Sequence, residues 1–286
     1  MATVITDLRK LGTITSIDEA LDASNLNFIT EQCEIVGTNG ISCPNNKMLY
    51  RGDTNQFLGL VGLRYEPIQN HTAMAFVDTI IKEENAVYTE AISKDNGAVS
   101  IIKATYDRRD EVAKGDILER EIVVSNGFDA KSPLKVSFML RRLVCLNGLT
   151  CSENDSVITF RHTQFTSDRM ELSLKIMDSS HKFFDSFVAT AKRMAEKAVD
   201  HQMVEKFLNG LYSDTKVNEK KRTYINELFE NGKGNKGETV WDLINGVTEY
   251  HTHYCSTSPE KRAESLYFGA SEKKNALAWD LAKSML

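Results

Sequence analysis

Phe57-Leu-Gly-Leu-Val-Gly-Leu-Arg-Tyr-Glu-Pro-Ile-Gln-Asn70 is the stretch from which the rest of the chain is read. Its first half is an apolar strand dotted with glycine. Gly59 and Gly62 leave gaps on the strand surface where another backbone or a ligand can approach closely. Pro67 fixes the φ of a first helical turn. Arg64 and Tyr65 therefore stand at a strand end, where a cation and an aromatic ring are presented together. The helix expected from Pro67 carries Ala73, Phe76, Val77, Ile80 and Ile81 at three- and four-residue spacing, an apolar stripe that needs a sheet to cover it.

That sheet follows directly. Residues 86–92 and 98–106 flank Asp95-Asn-Gly97, and Asn-Gly is the preferred pair for a tight hairpin. Residues 117–124 supply a third strand. In 134–144 the alternation places Leu134, Val136, Phe138 and Leu140 on one face and Lys135, Ser137, Met139 and Arg141 on the other. Lys135 and Arg141 would then lie roughly 20 Å apart along one polar edge, at about 3.3 Å per residue. Arg142 has the wrong parity for that face, which implies a bulge or a buried acceptor. A further strand is read at 157–165.

Beyond it the pattern is helical. Ser167 caps a helix bearing Ile176, Phe184, Phe187, Ala191, Met194 and Ala198, and Asp200 caps another with Val204, Phe207, Leu208 and Leu211. Lys216 to Arg222 reads as a charged connection and Gly232 to Gly237 as a lysine-bearing loop. Ser258-Pro259 and Ser271 open two final helices. At the other end, Ser16-Ile-Asp-Glu19 has the form of a capping box in a packing arm, and Asn45-Asn46 reads as a turn. The expected class is α+β: an antiparallel sheet with a crossing helix in a domain over 1–165, then a helical C-terminal region over 166–286.

Composition narrows the function. The chain has 286 residues, of which 41% are hydrophobic, enough for a real core. Its net charge of -5 excludes a globally basic nucleic-acid coat, so any contact with nucleic acid must come from a local basic surface. Five cysteines, none in a CxxC pair, suggest reduced thiols. No apolar run approaches the roughly 20 residues needed to span a bilayer. The expectation is a soluble protein of the host cell cytoplasm without a targeting segment.

The run Leu58 to Asn70 resembles the signature of a family of phage- and plasmid-encoded proteins, domain of unknown function 932. The resemblance continues through Ser125-Asn126, Arg141-Arg-Leu-Val-Cys-Leu-Asn-Gly148, Arg161-His-Thr163, Gly234-Asn235 and Trp241-Asp-Leu-Ile-Asn-Gly-Val-Thr-Glu-Tyr250. It runs in order from about Ser16 to the C-terminus and implies a phage setting without a defined activity. The order of elements is also similar to that of RecT, Red-beta and Erf single-strand annealing proteins. That likeness is one of topology and transfers no residue roles.

Several motifs could carry chemistry. Gly232-Lys-Gly-Asn-Lys-Gly-Glu-Thr239 resembles a phosphate loop, but Glu238 stands where the lysine should be and a helix precedes it. It reads either as a helix–helix turn or as a loop whose Lys233, Lys236 and following amides hold a nucleic-acid phosphate. His251 and Cys255 are four residues apart on the face shared by Trp241, Ile244 and Thr248, which favours a core histidine over a metal ligand. Cys145 and Cys151 near His162 lack the surroundings of a nucleophile. Asp107-Arg-Arg-Asp-Glu111 reads as a solvated turn. No catalytic residue, metal or cofactor is therefore assigned.

The basic residues carry the leading expectation. Lys131, Lys135, Arg141 and Arg142 fall in twelve residues without an acid, with Arg161 on the next strand. Such a face holds a phosphate backbone by charge and bases by stacking, the alternative being ordinary exposed charges. Together with Arg64, Tyr65, Lys233 and Lys236, they suggest a homo-oligomer that binds single-stranded DNA and anneals strands without a nucleotide cofactor. The alternative is an interaction protein that binds a host defence or replication factor, or a phage partner, through its C-terminal helices.

Overall fold

The computed structural model describes residues 3–149, 157–160, 169–213 and 215–286. It is α+β, with antiparallel pairing and a helical C-terminal region. The chain forms two compact units: residues 1–107, 121–137 and 157–178 make the first, and 108–120, 138–156 and 179–286 the second.

The first unit begins with β1 (Thr3–Asp7), which pairs along β5 (Val87–Lys94). Between them lies a three-stranded sheet of β2 (Thr30–Val36), β3 (Ser42–Arg51) and β4 (Phe57–Gly62), in that order. The segment around Asn45-Asn46, expected as a turn, is thus the central strand of a sheet. The strand has Pro44 and little alternation, and its register comes from partners on both sides.

Helix α1 (Ile17–Ala23) starts at Ser16, but the expected capping box does not form. The Ile17 N–H donates instead to Asp78 Oδ1 at 2.9 Å. The crossing helix begins at Asn70, three residues after Pro67, and is broken into α2 (Asn70–Met74) and α3 (Val77–Glu83). The delay has a clear cause: Gln69 is extended and pairs both ways with the Thr30 backbone, at 2.8 and 3.0 Å. The apolar stripe is as expected, with Ala73, Phe76, Val77, Ile80 and Ile81 all buried.

The larger sheet runs β1-β5-β6-β7-β8-β10, with β6 (Val99–Ala113), β7 (Asp116–Gly127), β8 (Leu134–Arg142) and β10 (Val157–Phe160); β9 (Asn147–Leu149) also pairs with β8. The hairpin at Asp95-Asn-Gly97 is present, with all three residues at positive φ. β6 continues through Asp107–Glu111, which is strand and not a turn. Its charges find cross-strand partners: Arg109 pairs with Glu119 at 3.0 Å, and Asp110 with Arg120 at 2.6 Å. The reversal falls at Gly115, whose φ of 79° suits glycine.

Helix α4 (Arg169–Glu196) starts in the first unit, and its part in the second places Phe183, Phe184 and Phe187 in a cluster with Phe138. It ends before Ala198, which is exposed. Ser167 and residues 161–165 lie outside the described residues. Asp200 caps α5 (His201–Leu211) by accepting the Met203 N–H at 2.8 Å. Lys216 to Arg222 is the first part of α6 (Lys216–Asn231) and not a connection, because Thr215 caps a helix there. Then come α7 (Val240–Glu249), a π-turn over Tyr250–Tyr254, α8 (Pro259–Phe268), capped by Ser258, and α9 (Ala270–Lys283). Trp279 of α9 stacks on Phe187 with centroids 3.9 Å apart. Among the described residues no helix is long and apolar enough to cross a membrane.

Candidate nucleic-acid interface

The basic residues expected at one surface have different surroundings. Arg142 ends β8 and is 1% exposed. The parity break was the sign of a buried acceptor: Asp116 takes Nε and Nη2 at 2.7 Å each. The Lys233 carbonyl and Asn235 Oδ1 accept from Nη1 at 3.1 and 2.8 Å, and the Gly234 carbonyl accepts from Nη2 at 2.8 Å. A guanidinium has five N–H groups, and all five are thereby engaged. Arg142 is accordingly placed as an internal strut, with nothing left for a phosphate.

The glycine loop is the other half of that strut. Its carbonyls turn toward Arg142, and the Lys233 N–H donates to Glu249 Oε2 at 3.2 Å. Burial holds the Glu249 carboxyl above its usual range. The amides of Glu238 and Thr239, considered as a phosphate cradle, both donate to Asp242 Oδ2 at 3.1 Å within a capping box. An anion there would have to displace a carboxylate of the same chain. Trp241 Nε1 also donates to Asp116 at 2.8 Å. The Lys233 and Lys236 side chains themselves are exposed.

Arg141 lies against Glu119 at 2.7 Å, its side chain 12% exposed. Lys135, in the first unit, is half-buried, opposite Thr159 of β10. Arg161, His162 and Cys151 lie outside the described residues. Cys145 is buried, which pushes its thiol up. His251 is buried between Tyr212 and Asn275, its two ring nitrogens bonded to them at 2.6 and 2.5 Å. Among the described residues no group of three or more His, Cys, Asp or Glu is placed to hold a metal.

The first unit does bring three predicted residues together. Tyr65, following β4, donates its hydroxyl to the Gly127 carbonyl at 3.1 Å, and burial pushes its phenol up, with Asp129 adding to the effect. This ties the strand end bearing Arg64 to the turn bearing Lys131. The turn is shaped by Asp129, which accepts the N–H groups of Lys131 and Ser132 at 2.9 and 2.7 Å. Gly59 is needed for the same approach: a Cβ there would lie 2.2 Å from the Phe128 carbonyl oxygen. Arg64 and Lys131 are exposed, and neither makes an ion pair among the described residues.

The same unit presents a surface that the sequence reading missed. In the three-stranded sheet, Leu49, Leu58 and Val61 are buried on one face, and Tyr50, Met48, Phe57 and Leu60 lie on the other. Tyr50 sits directly across from Phe57, and Met48 from Leu60. Phe57 and Leu60 are each 52% exposed. The Tyr50 hydroxyl donates to Glu31 at 2.7 Å, which fixes its ring on that face. Alternation within Phe57–Val61 could not have revealed it, because an irregularity opposite Leu49/Tyr50 shifts the parity and brings Phe57 and Leu60 to one face.

Among the described residues, segments behind the family resemblance meet in these two places. Arg142, Asn235 and Trp241 converge on one strut. Asn126 donates to the Ile68 carbonyl and to Asn70 Oδ1 at 2.8 and 3.0 Å, next to the Tyr65–Gly127 bond. Residues 57–271 match the model of a family described as Domain of unknown function (DUF932). No curated protein matches the chain, and no solved structure does, so nothing supports the RecT, Red-beta and Erf likeness. With most of its length covered by that one model, the chain belongs to the DUF932 family.

Proposed function

We propose that this protein binds single-stranded DNA and promotes strand annealing without a nucleotide cofactor, through the outer face of β2-β3-β4. The observation that carries the reading is the in-register pair Tyr50 and Phe57 on that exposed face, on the strand that runs on to Arg64. Base faces stack on aromatic rings regardless of sequence, and cations beside the rings hold the phosphates. Annealing then requires only that the pairing edges stay free. Glu31, across from Tyr50, makes the β2 side of that face acidic and directs a polyanion toward β4. Self-assembly would extend this short platform along a strand.

A second reading has its own support, because Ile29, Val36, Ile41, Leu60 and Leu63 are exposed in the same part of the chain. A protein partner would cover them. Fluorescence anisotropy of a labelled oligonucleotide at several salt concentrations, with the mass in solution recorded alongside, separates the two. Salt-sensitive binding by an oligomer supports annealing. A protein without affinity at low salt, yet retaining a stoichiometric protein partner after nuclease treatment, favours the second reading.

A further inference from the structure

The second unit contains a cavity of about 400 Å³ between α5, α6, the π-turn, α8 and the start of α9. That volume is in the range of small-molecule sites. Its floor is Tyr212. The Lys274 and Lys221 ammonium groups stand 4.8 and 5.4 Å from the centre of that ring, and Lys261 lines the same space. Among the described residues no carboxylate lines the cavity and none of the three lysines makes an ion pair. In a chain of net charge -5, this is a local concentration of unbalanced positive charge.

The rest of the lining has the same preference. Ala270 and Ser271 present the N-terminus of the fourteen-residue α9, whose dipole favours an anion. The π-turn, a local geometry frequent at functional sites, brings Tyr250 and His251 to the wall. His251 is neutral, its pKa lowered to about 4 by burial, with Lys274 and Lys221 adding to the effect. Its ring is held by Asn275 on one side and the Tyr212 hydroxyl on the other. The phenol is thus turned toward the histidine, and its ring face is left to the lysines. Lys274 also donates to the Leu211 carbonyl, which fixes its position and leaves two N–H groups for a ligand.

We infer that this cavity binds a phosphomonoester of nucleoside-monophosphate size, its phosphate among Lys221, Lys261 and Lys274 and its organic part beside Tyr250. The cavity is several times larger than an inorganic phosphate, so an organic group is needed to fill it. This site shares no residue with the proposed DNA face and does not depend on that reading.

Calorimetric titration of the full chain with deoxyadenosine 5′-monophosphate, inorganic phosphate and deoxyadenosine tests it. The nucleotide should bind about tenfold or more tighter than phosphate, and deoxyadenosine should not bind, since each charged hydrogen bond and each enclosed ring adds affinity. Lys221→Gln with Lys274→Gln should weaken the nucleotide by about tenfold or more. Lys261→Gln, at an exposed position, should weaken it without altering the thermal melt. Absence of binding by the nucleotide at low salt would overturn the inference, as would deoxyadenosine binding equally well. Wild-type affinity in the folded Lys261→Gln and double-glutamine variants would do the same.

Discussion

Replacing Arg142 by Met tests the claim that this cation is a strut. Met keeps much of the side chain's length and removes the guanidinium. Among the described residues Asp116 then retains only the Trp241 N–H at 2.8 Å, as a buried carboxylate without its counter-charge. Removing one partner of a buried ion pair costs about 3–5 kcal/mol. The Lys233 and Gly234 carbonyls add little, because both residues are exposed and their groups can regain water. At about 2–4 °C per kcal/mol for chains of a couple of hundred residues, the melting temperature should fall by about 10 °C. Arg142→Lys should recover only part of this, since one ammonium cannot meet both Asp116 oxygens and the loop at once. Melting followed by circular dichroism, alongside oligonucleotide affinity measured below the transition, reads both effects. An unchanged melt with weakened DNA binding would refute the reasoning and put Arg142 on the nucleic acid.

Gly59→Ala should cost about 1–3 kcal/mol, since its Cβ would strike the Phe128 carbonyl oxygen, a backbone atom that cannot swing away. Gly62→Ala, with nothing within 4 Å of the added carbon, should leave the urea midpoint almost unchanged; equal midpoints for the two variants would contradict the close packing of β4 on the Asp129 turn. His251 supplies a pH dependence. Its pKa falls from the ordinary 6.5 to about 4 on folding, so the unfolded chain binds the proton more readily between those values. Stability should decline by up to about 3 kcal/mol as pH falls through that window. His251→Gln should flatten this component in urea unfolding measured near neutrality and at about pH 5, and an unaltered slope would show that the imidazole is not held neutral.

Legibility of the sequence followed the range of the interactions involved. The parity of Leu134, Val136, Phe138 and Leu140 exposed β8, because alternate side chains on a strand meet opposite surroundings. The same parity marked Arg142 as anomalous. Its acceptors could not be read, because Asp116 and Asn235 lie 26 and 93 residues away. Asp107–Glu111 looked like a solvated turn, since a period-based reading does not see that Glu119 and Arg120 neutralise it across the hairpin. β3 was missed for a related reason: Ser42-Cys-Pro-Asn-Asn has little strand propensity, and its pairing to β2 and β4 overrides that preference. The candidate region was therefore legible only in Arg64, Tyr65 and Lys131. The rings that complete it depend on which strand lies beside which.

The most direct test of the central claim is oligonucleotide anisotropy on Tyr50→Ala with Phe57→Ala, against wild type at one low salt concentration. Stacking contributes about 1–3 kcal/mol per base, so the proposed platform predicts a loss of affinity of about twenty-fold or more, with most of the salt dependence retained. Unchanged affinity in a folded double variant would contradict it and move the DNA, if bound at all, away from β2-β3-β4.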